Sequence, residues 1–365
     1  VRVLIDRRDF LRAAGASFAA AMAPGAWAST LATDAVFATA FVRRDGSHGA
    51  AVLSEAGKVL HAIDLPERGH DITFDPISRR SVVFARQPGT FAMVFDHAGR
   101  EKPLAISSVP GRHFFGHGVF SPDGRLLYAT ENDFDNAAGV VGIYDALSNF
   151  ERVGEFPTYG VGPHELLLLG DDRTIAVANG GIETHPDYGR AELNIATMKP
   201  SYVLVDRISG DLLEKHELPS NLSKLSIRHM AADGEGTVWF GCQYRGPVTD
   251  RPLLVGRAAR GKDLSLVDMP GQVLGGFRNY IGSVATNPAA GTVAVSSPQG
   301  NSLAIIEAAT GKVVSARDLT EVCGVAPDGP GFIATTGGGV IVGPDGSTST
   351  DPDHVWDNHM LRIEA

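Results

Sequence analysis

One phrase recurs six times along the chain: a short apolar strand, a turn built from Asp, Pro and Gly, then a second strand ending in small residues. Its copies begin at Gly69, Gly116, Pro163, Arg228, Gly282 and Cys323. A third strand with a polar turn follows, as in Gly142-Ile143-Tyr144-Asp145 and Leu303-Ala304-Ile305-Ile306-Glu307, and usually a fourth, as in Val313-Val314-Ser315-Ala316. Four short antiparallel strands in roughly 50 residues make one blade of a β-propeller. A β-sandwich needs no fixed period, yet His70, His117 and His164 follow one another at a spacing of 47 residues.

The chain ends complete the count. Three strands at Ala35–Val42, Ala50–Leu53 and Lys58–Ile63 have no inner strand before them, and a lone strand at His359–Ile363 has no partners after it. Pairing them makes a seventh blade and removes the exposed sheet edges of an open array. The sequence therefore predicts an all-β, seven-bladed propeller, closed by pairing the C-terminal strand with N-terminal strands. It forms one domain over residues 29–365, at about 48 residues per blade. The largest departure is an insertion over residues 180–200, between strands two and three of the third full blade, and insertions of that length in compact domains tend to be functional.

Residues 1–28 stand apart. Arg7-Arg8-Asp9-Phe10-Leu11 precedes an uncharged small-residue stretch that ends in Ala26-Trp27-Ala28. Paired arginines, an Ala/Gly-rich apolar region and a small-x-small cleavage site read as a twin-arginine signal peptide, so the expected compartment is the periplasm. No later apolar run approaches the roughly 18 residues of a membrane span. A formal net charge of −10 leaves no uniformly basic surface for nucleic acid. A monomer is expected.

Histidines fall at one position of the repeat. His70, His117, His164 and His229 each open a first strand, and His359 opens the C-terminal strand assigned to the same place. First strands line a propeller's central channel and run the same way, so these five residues should ring one mouth of it. Neutral imidazoles in such a ring suit Fe, Cu, Zn or Ni. The two remaining blades place Gly282 and the Val322-Cys323 pair there, which makes Cys323 a conceivable sixth ligand. Arg112, His113, Arg228, Arg278 and Tyr280 sit before or at the same mouth, and Asp71 and Glu165 follow ring histidines. Guanidinium groups beside a metal site suit an anionic ligand, such as a carboxylate chelate or the propionates of noncovalent haem. Glu183, His185 and Asp187 alternate in the insertion, so an extended backbone would put them on one face as a second candidate site. Cys242 and Cys323 lie in strands two blades apart, which argues against a disulfide between them. There is no Gly-x-Ser-x-Gly, Walker loop, His-Glu-x-x-His or Cys-x-x-Cys-His, so neither a familiar nucleophile nor covalent haem attachment is indicated.

Several longer phrases resemble a known family. They are His113-Phe114-Phe115-Gly116-His117-Gly118-Val119-Phe120-Ser121, Gly162-Pro163-His164-Glu165-Leu166, Asn179-Gly180-Gly181-Ile182-Glu183-Thr184-His185-Pro186 and Leu225-Ser226-Ile227-Arg228-His229. Together they are similar to the bacterial propeller family catalogued as domain of unknown function 1513. That resemblance implies twin-arginine export, imelysin-like and di-haem peroxidase-like proteins as neighbours or partners, and a role in periplasmic iron or haem handling. It implies no catalytic residue. The reading that follows is a periplasmic propeller binding a transition metal or metal chelate, iron, haem or copper, in metal acquisition. Two alternatives stand beside it: an interaction scaffold whose histidines are structural, and a metal-dependent oxidoreductase or lyase.

Replacing Arg7 and Arg8 together with Lys should abolish delivery to the periplasm, because the receptor reads the arginine pair. Cell fractionation checks this, and undiminished periplasmic protein would refute the twin-arginine assignment.

Overall fold

Propeller second strands are covered on both faces by neighbouring blades, and their sequences show it. Arg80–Ala85, Thr174–Asn179 and Thr292–Ser297 are runs of Val, Ile, Phe, Ala and small polar residues with nearly every position buried. Outermost strands such as Leu212–Glu217 and Val313–Asp318 are exposed at most positions and carry charges, which discourages edge-to-edge pairing. The repeated turn has a mechanism. The Asp75 carboxylate accepts from the N–H groups of Ile77 (3.0 Å) and Ser78 (2.9 Å), and Asp206 accepts from Ile208 (2.9 Å) and Ser209 (3.2 Å). A short acidic side chain thus holds its own backbone in the turn.

The computed structural model describes residues 36–363, so the predicted signal over residues 1–28 lies outside the described residues. Seven four-stranded antiparallel sheets form the propeller. Their inner strands are Gly69–Asp75, Arg112–Phe120, Pro163–Leu168, Leu225–Ala232, Ser283–Asn287, Val322–Asp328 and His354–Arg362. Apolar side chains fill the space between blades. Trp239 and Phe240, for example, share one buried cluster with Leu204 of the blade before and with Val293, Val295 and Ile306 of the blade after.

Closure occurs as the sequence suggests. His354–Arg362 pairs antiparallel with Phe37–Arg43, which leads outward to His48–Leu53 and Val59–Leu65. The closing strand is longer than expected and begins at His354, because Val355 and Trp356 pair with Val42 and Phe41 beyond the histidine position. Trp356 is 1% exposed, with its ring edge-on to Phe41 at 6.1 Å. The insertion occupies residues 180–200, between the strands Thr174–Asn179 and Ser201–Asp206, and contains one 3-10 turn, Pro186–Tyr188.

Deleting residues 354–365 should leave Phe37–Arg43 an unpaired edge and cause aggregation or a large loss of thermal stability. The milder Trp356→Ala should cost about 3–5 kcal/mol, the usual penalty for emptying a buried aromatic site. Urea denaturation measures both, and a truncated protein that melts like the intact one would rule out this closure.

Candidate metal centre

A regular strand sends successive side chains to opposite faces, so a histidine at the start of an inner strand has no reason by itself to point down the channel axis. The inner strands break that alternation at the histidine position. Two residues, His70 and Asp71, fit between the pairs Gly69–Ala85 and Ile72–Val83. Phe115, Gly116 and His117 stand opposite Thr130 alone, and Asp357, Asn358 and His359 stand opposite Ala40 alone. His164 and Arg228 are the extra residues in their own strands. Such bulges bend the strand and re-aim its side chains. Second-strand hydroxyls take up carbonyls that the bulges release: Thr39 Oγ1 donates to His359 O at 2.6 Å, and Thr130 Oγ1 donates to His117 O at 3.2 Å. Gly116 is required twice over. Its φ is +107°, a region closed to most side chains, and a Cβ there would lie 2.5 Å from His70 Cδ2.

The five imidazoles therefore meet. Passing from His70 to His117, His164, His229, His359 and back, the ring centroids are 4.9, 4.8, 4.7, 4.7 and 4.6 Å apart. Cross-ring separations are short as well, 4.9 Å for His117 to His359 and 5.5 Å for His70 to His164, so the circuit is a puckered cluster rather than an open ring. Two sets of donors bring their ligand atoms within 4.8 Å of one another: His117, His164, Glu165 and His229, and His70, His117 and His359. His117 belongs to both.

All five rings are buried, and six of their nitrogens lack a hydrogen-bond partner: His70 Nδ1, His117 Nε2, His164 Nδ1, both of His229 and His359 Nε2. Burial pushes His70, His164 and His229 well below the usual imidazole range and His359 down to about 4, with the neighbouring rings adding to the effect. These four rings are neutral at pH 7, which is the form that ligates a metal. Three carboxylates adjoin them. Asp71 Oδ2 lies 3.0 Å from His117 Nδ1; burial opposes its charge, but His117 and His359 bring it down to about 2. Glu165 accepts from Met230 N–H at 3.0 Å, with His229 Nδ1 at 3.5 Å, while burial and the Asp71 charge push its carboxyl well above the usual range. Asp357 lies 3.8 Å from His70 Nδ1; burial opposes its ionisation, and His70, Arg68 and Arg86 more than offset this.

A chamber of about 240 Å³ opens over the cluster. Of the residues predicted at this mouth, Arg228 and Tyr280 line it together with His70, His164 and His229. Glu165 joins a donor set. Arg112, His113 and Arg278 do not line the chamber. Arg112 stands five residues ahead of His117 on a long inner strand and pairs with Asp133 (2.9 Å) and Glu155 (3.4 Å). His113 is fixed between Phe114 O and Asn132 Nδ2, with Phe134 stacked on it. Arg278 lies in an adjoining recess with Arg251. Cys323 donates to Glu321 O at 3.1 Å and stays out of both donor sets, with burial pushing its thiol up to about 12. Glu183, His185 and Asp187 form no such donor group among the described residues; His185 Nδ1 instead accepts from Asp187 N–H and caps the 3-10 turn.

The chamber also contains residues that sequence reasoning missed: Arg86, Arg190, Glu192, Gln243 and Arg245. A signal for two of them was there. Arg86 and Arg245 each follow the last residue of a second strand, the end that returns to the mouth where the first strand began. Arg190 and Glu192 belong to the insertion, which crosses the mouth as a strap. Its Thr184 accepts from Gln87 Nε2 (2.7 Å) and, through its carbonyl, from Asn132 Nδ2 (3.0 Å), and Glu192 pairs with Arg245 at 2.7 Å.

Comparison with known proteins agrees with this architecture. No curated protein matches the sequence. Among solved structures, Kuenenia stuttgartiensis hydrazine synthase is similar with a TM-score of 0.60 and 12% identity, over 89% of this chain and 92% of that one. At that identity the likeness concerns the fold alone. The family described as "Protein of unknown function (DUF1513)" matches residues 63–363, from the outermost strand of the closing blade through all six other blades to the C-terminal strand, and the chain belongs to that family.

Proposed function

We propose that this protein binds a transition metal, iron or copper, at its five-histidine cluster and serves metal acquisition in the periplasm. One observation carries the reading: six imidazole nitrogens are buried in a single cluster without partners. Leaving one buried polar group unsatisfied costs about 1–3 kcal/mol, and coordination would relieve the bare nitrogen of each ligating ring, one per neutral imidazole, while the other nitrogen keeps its proton. The donor set supports the same conclusion. Three imidazoles and a carboxylate within reach of one point match the nitrogen-rich sites of Fe, Cu and Zn. The chamber leaves the cluster approachable from one mouth, as acquisition and release require. Its volume of about 240 Å³ falls below the roughly 300 Å³ at which ligand pockets of drug size begin, which favours a metal ion or small chelate over a porphyrin. Among the described residues no helix is long and apolar enough to cross a membrane.

Isothermal titration with Fe(II), Cu(II) and Zn(II), alongside elemental analysis of natively exported protein, tests the proposal. Wild type should bind at least one of these metals stoichiometrically. His117→Ala removes the ligand common to both donor sets and should weaken binding by more than the roughly 10–100-fold that loss of an outer-shell partner costs. His216→Ala, on an outer strand beside Glu214, should bind as wild type does. Failure of wild type to take up any of the three metals would overturn the reading.

A further inference from the structure

The protein carries a formal net charge of −10, yet the mouth above the histidines is crowded with arginine. Arg86, Arg190, Arg228 and Arg245 line the chamber, with Glu192 as the one carboxylate among its lining residues. Glu192 is already committed to Arg245, at 2.7 Å. Arg86 has only a distant share of Asp357, at 3.8 Å, because that carboxylate is bonded to Arg68. Arg190 and Arg228 pair with no carboxylate among the described residues, and the Arg228 guanidinium is bonded through Nε to Ser226 Oγ at 2.9 Å. Burial, with the charge of Arg245 beside it, brings Arg228 down to about 9, so it remains a cation at neutral pH. An enclosed guanidinium without a counter-charge is expensive. Beyond Tyr280, which lines both spaces, the adjoining recess adds Arg251 and Arg278 and extends the positive path outward.

This arrangement is unfavourable for a bare cation travelling to the cluster and favourable for an anion. We infer that the chamber is a binding site for a small polycarboxylate, held by Arg86, Arg190 and Arg228, which accompanies the metal to the histidines as a co-ligand. The metal half of this statement rests on the function proposed above; the anion half stands on the arginines alone. Carboxylates fit for two reasons. They take the paired N–H groups of a guanidinium with two parallel hydrogen bonds, and an oxygen left free can ligate a metal from the side the histidines leave open. Size separates them from simple oxyanions. A chamber of about 240 Å³ is worth about eight waters at ~30 Å³ each, more than one phosphate fills.

The probes are citrate, inorganic phosphate and preformed Fe(III)–citrate, titrated into metal-free wild type and into Arg190→Gln, Arg228→Gln and the charge-conserving Arg228→Lys. Arg190 is exposed on the insertion, so its replacement leaves the propeller packing untouched. Citrate should bind metal-free wild type and outcompete phosphate. Each Gln variant should lose about tenfold or more in citrate affinity, Arg228→Lys should lose less, and Arg190→Gln, which lies on the insertion away from the histidine strands, should keep or improve its affinity for the bare metal. Fe(III)–citrate should bind wild type more tightly than citrate does. Absence of citrate binding to wild type, or Gln variants that bind citrate as wild type does, overturns the inference whatever the metals do. Citrate binding with no uptake of any metal, bare or chelated, would remove the proposed metal function and the co-ligand role while leaving the anion site in place.

Discussion

No blade of this propeller can cover its own faces. Each second strand is apolar on both sides and relies on the blades before and after it, so burial is a property of the closed ring rather than of any sheet. The strand His354–Arg362 is therefore a condition for all seven sheets, since its pairing with Phe37–Arg43 supplies the last two neighbours. Closure also fixes the geometry of the candidate site. His359 arrives from the far end of the sequence, and with it the circuit of imidazoles is complete at 4.6 Å from His70 and 4.7 Å from His229.

The centre so formed is a place where the chain departs from what favours stability alone. Filling the hub with apolar side chains would avoid both the partnerless imidazoles and the enclosed Arg228 cation. The surrounding structure instead supports the departure: Thr39 and Thr130 bond the carbonyls displaced by the bulges, and Asp71, Glu165 and Asp357 set the charge around the rings. Local departures of this kind are where consistency between sequence and fold gives way to function.

Periodicity made the architecture readable, because strand alternation, turn chemistry and the spacing of 47 residues between His70, His117 and His164 all repeat, and repetition averages out local ambiguity. The same repetition brought the five histidines to one repeat position. What it could not supply was direction. Whether a residue faces the axis depends on bulges of one or two residues, and in a strand a shift of one reverses the face. Arg112 and His113 illustrate this: they lie next to ring positions along the chain, but the long strand Arg112–Phe120 carries them past the rim to partners of their own. Arg190 was hidden for a different reason. It belongs to the insertion, which has no counterpart in the repeat, and its place over the mouth is set by the contacts of Thr184 and Glu192.

A propeller hub built from equal repeats would offer a ligand seven equivalent poses. Here two adjacent inner strands, Ser283–Asn287 and Val322–Asp328, bring no imidazole, and Gly324 lies so close to the closing strand that a Cβ on it would stand 2.6 Å from the His359 carbonyl carbon. That approach lets the histidines of five consecutive blades draw together across the gap. The rotational degeneracy is lost, because five of the seven blades supply the imidazoles of the closed circuit and two supply none. Anything held at this axis has one facing direction, so a centre drawn from a repeating scaffold can discriminate between ligands by handedness and shape as well as by charge.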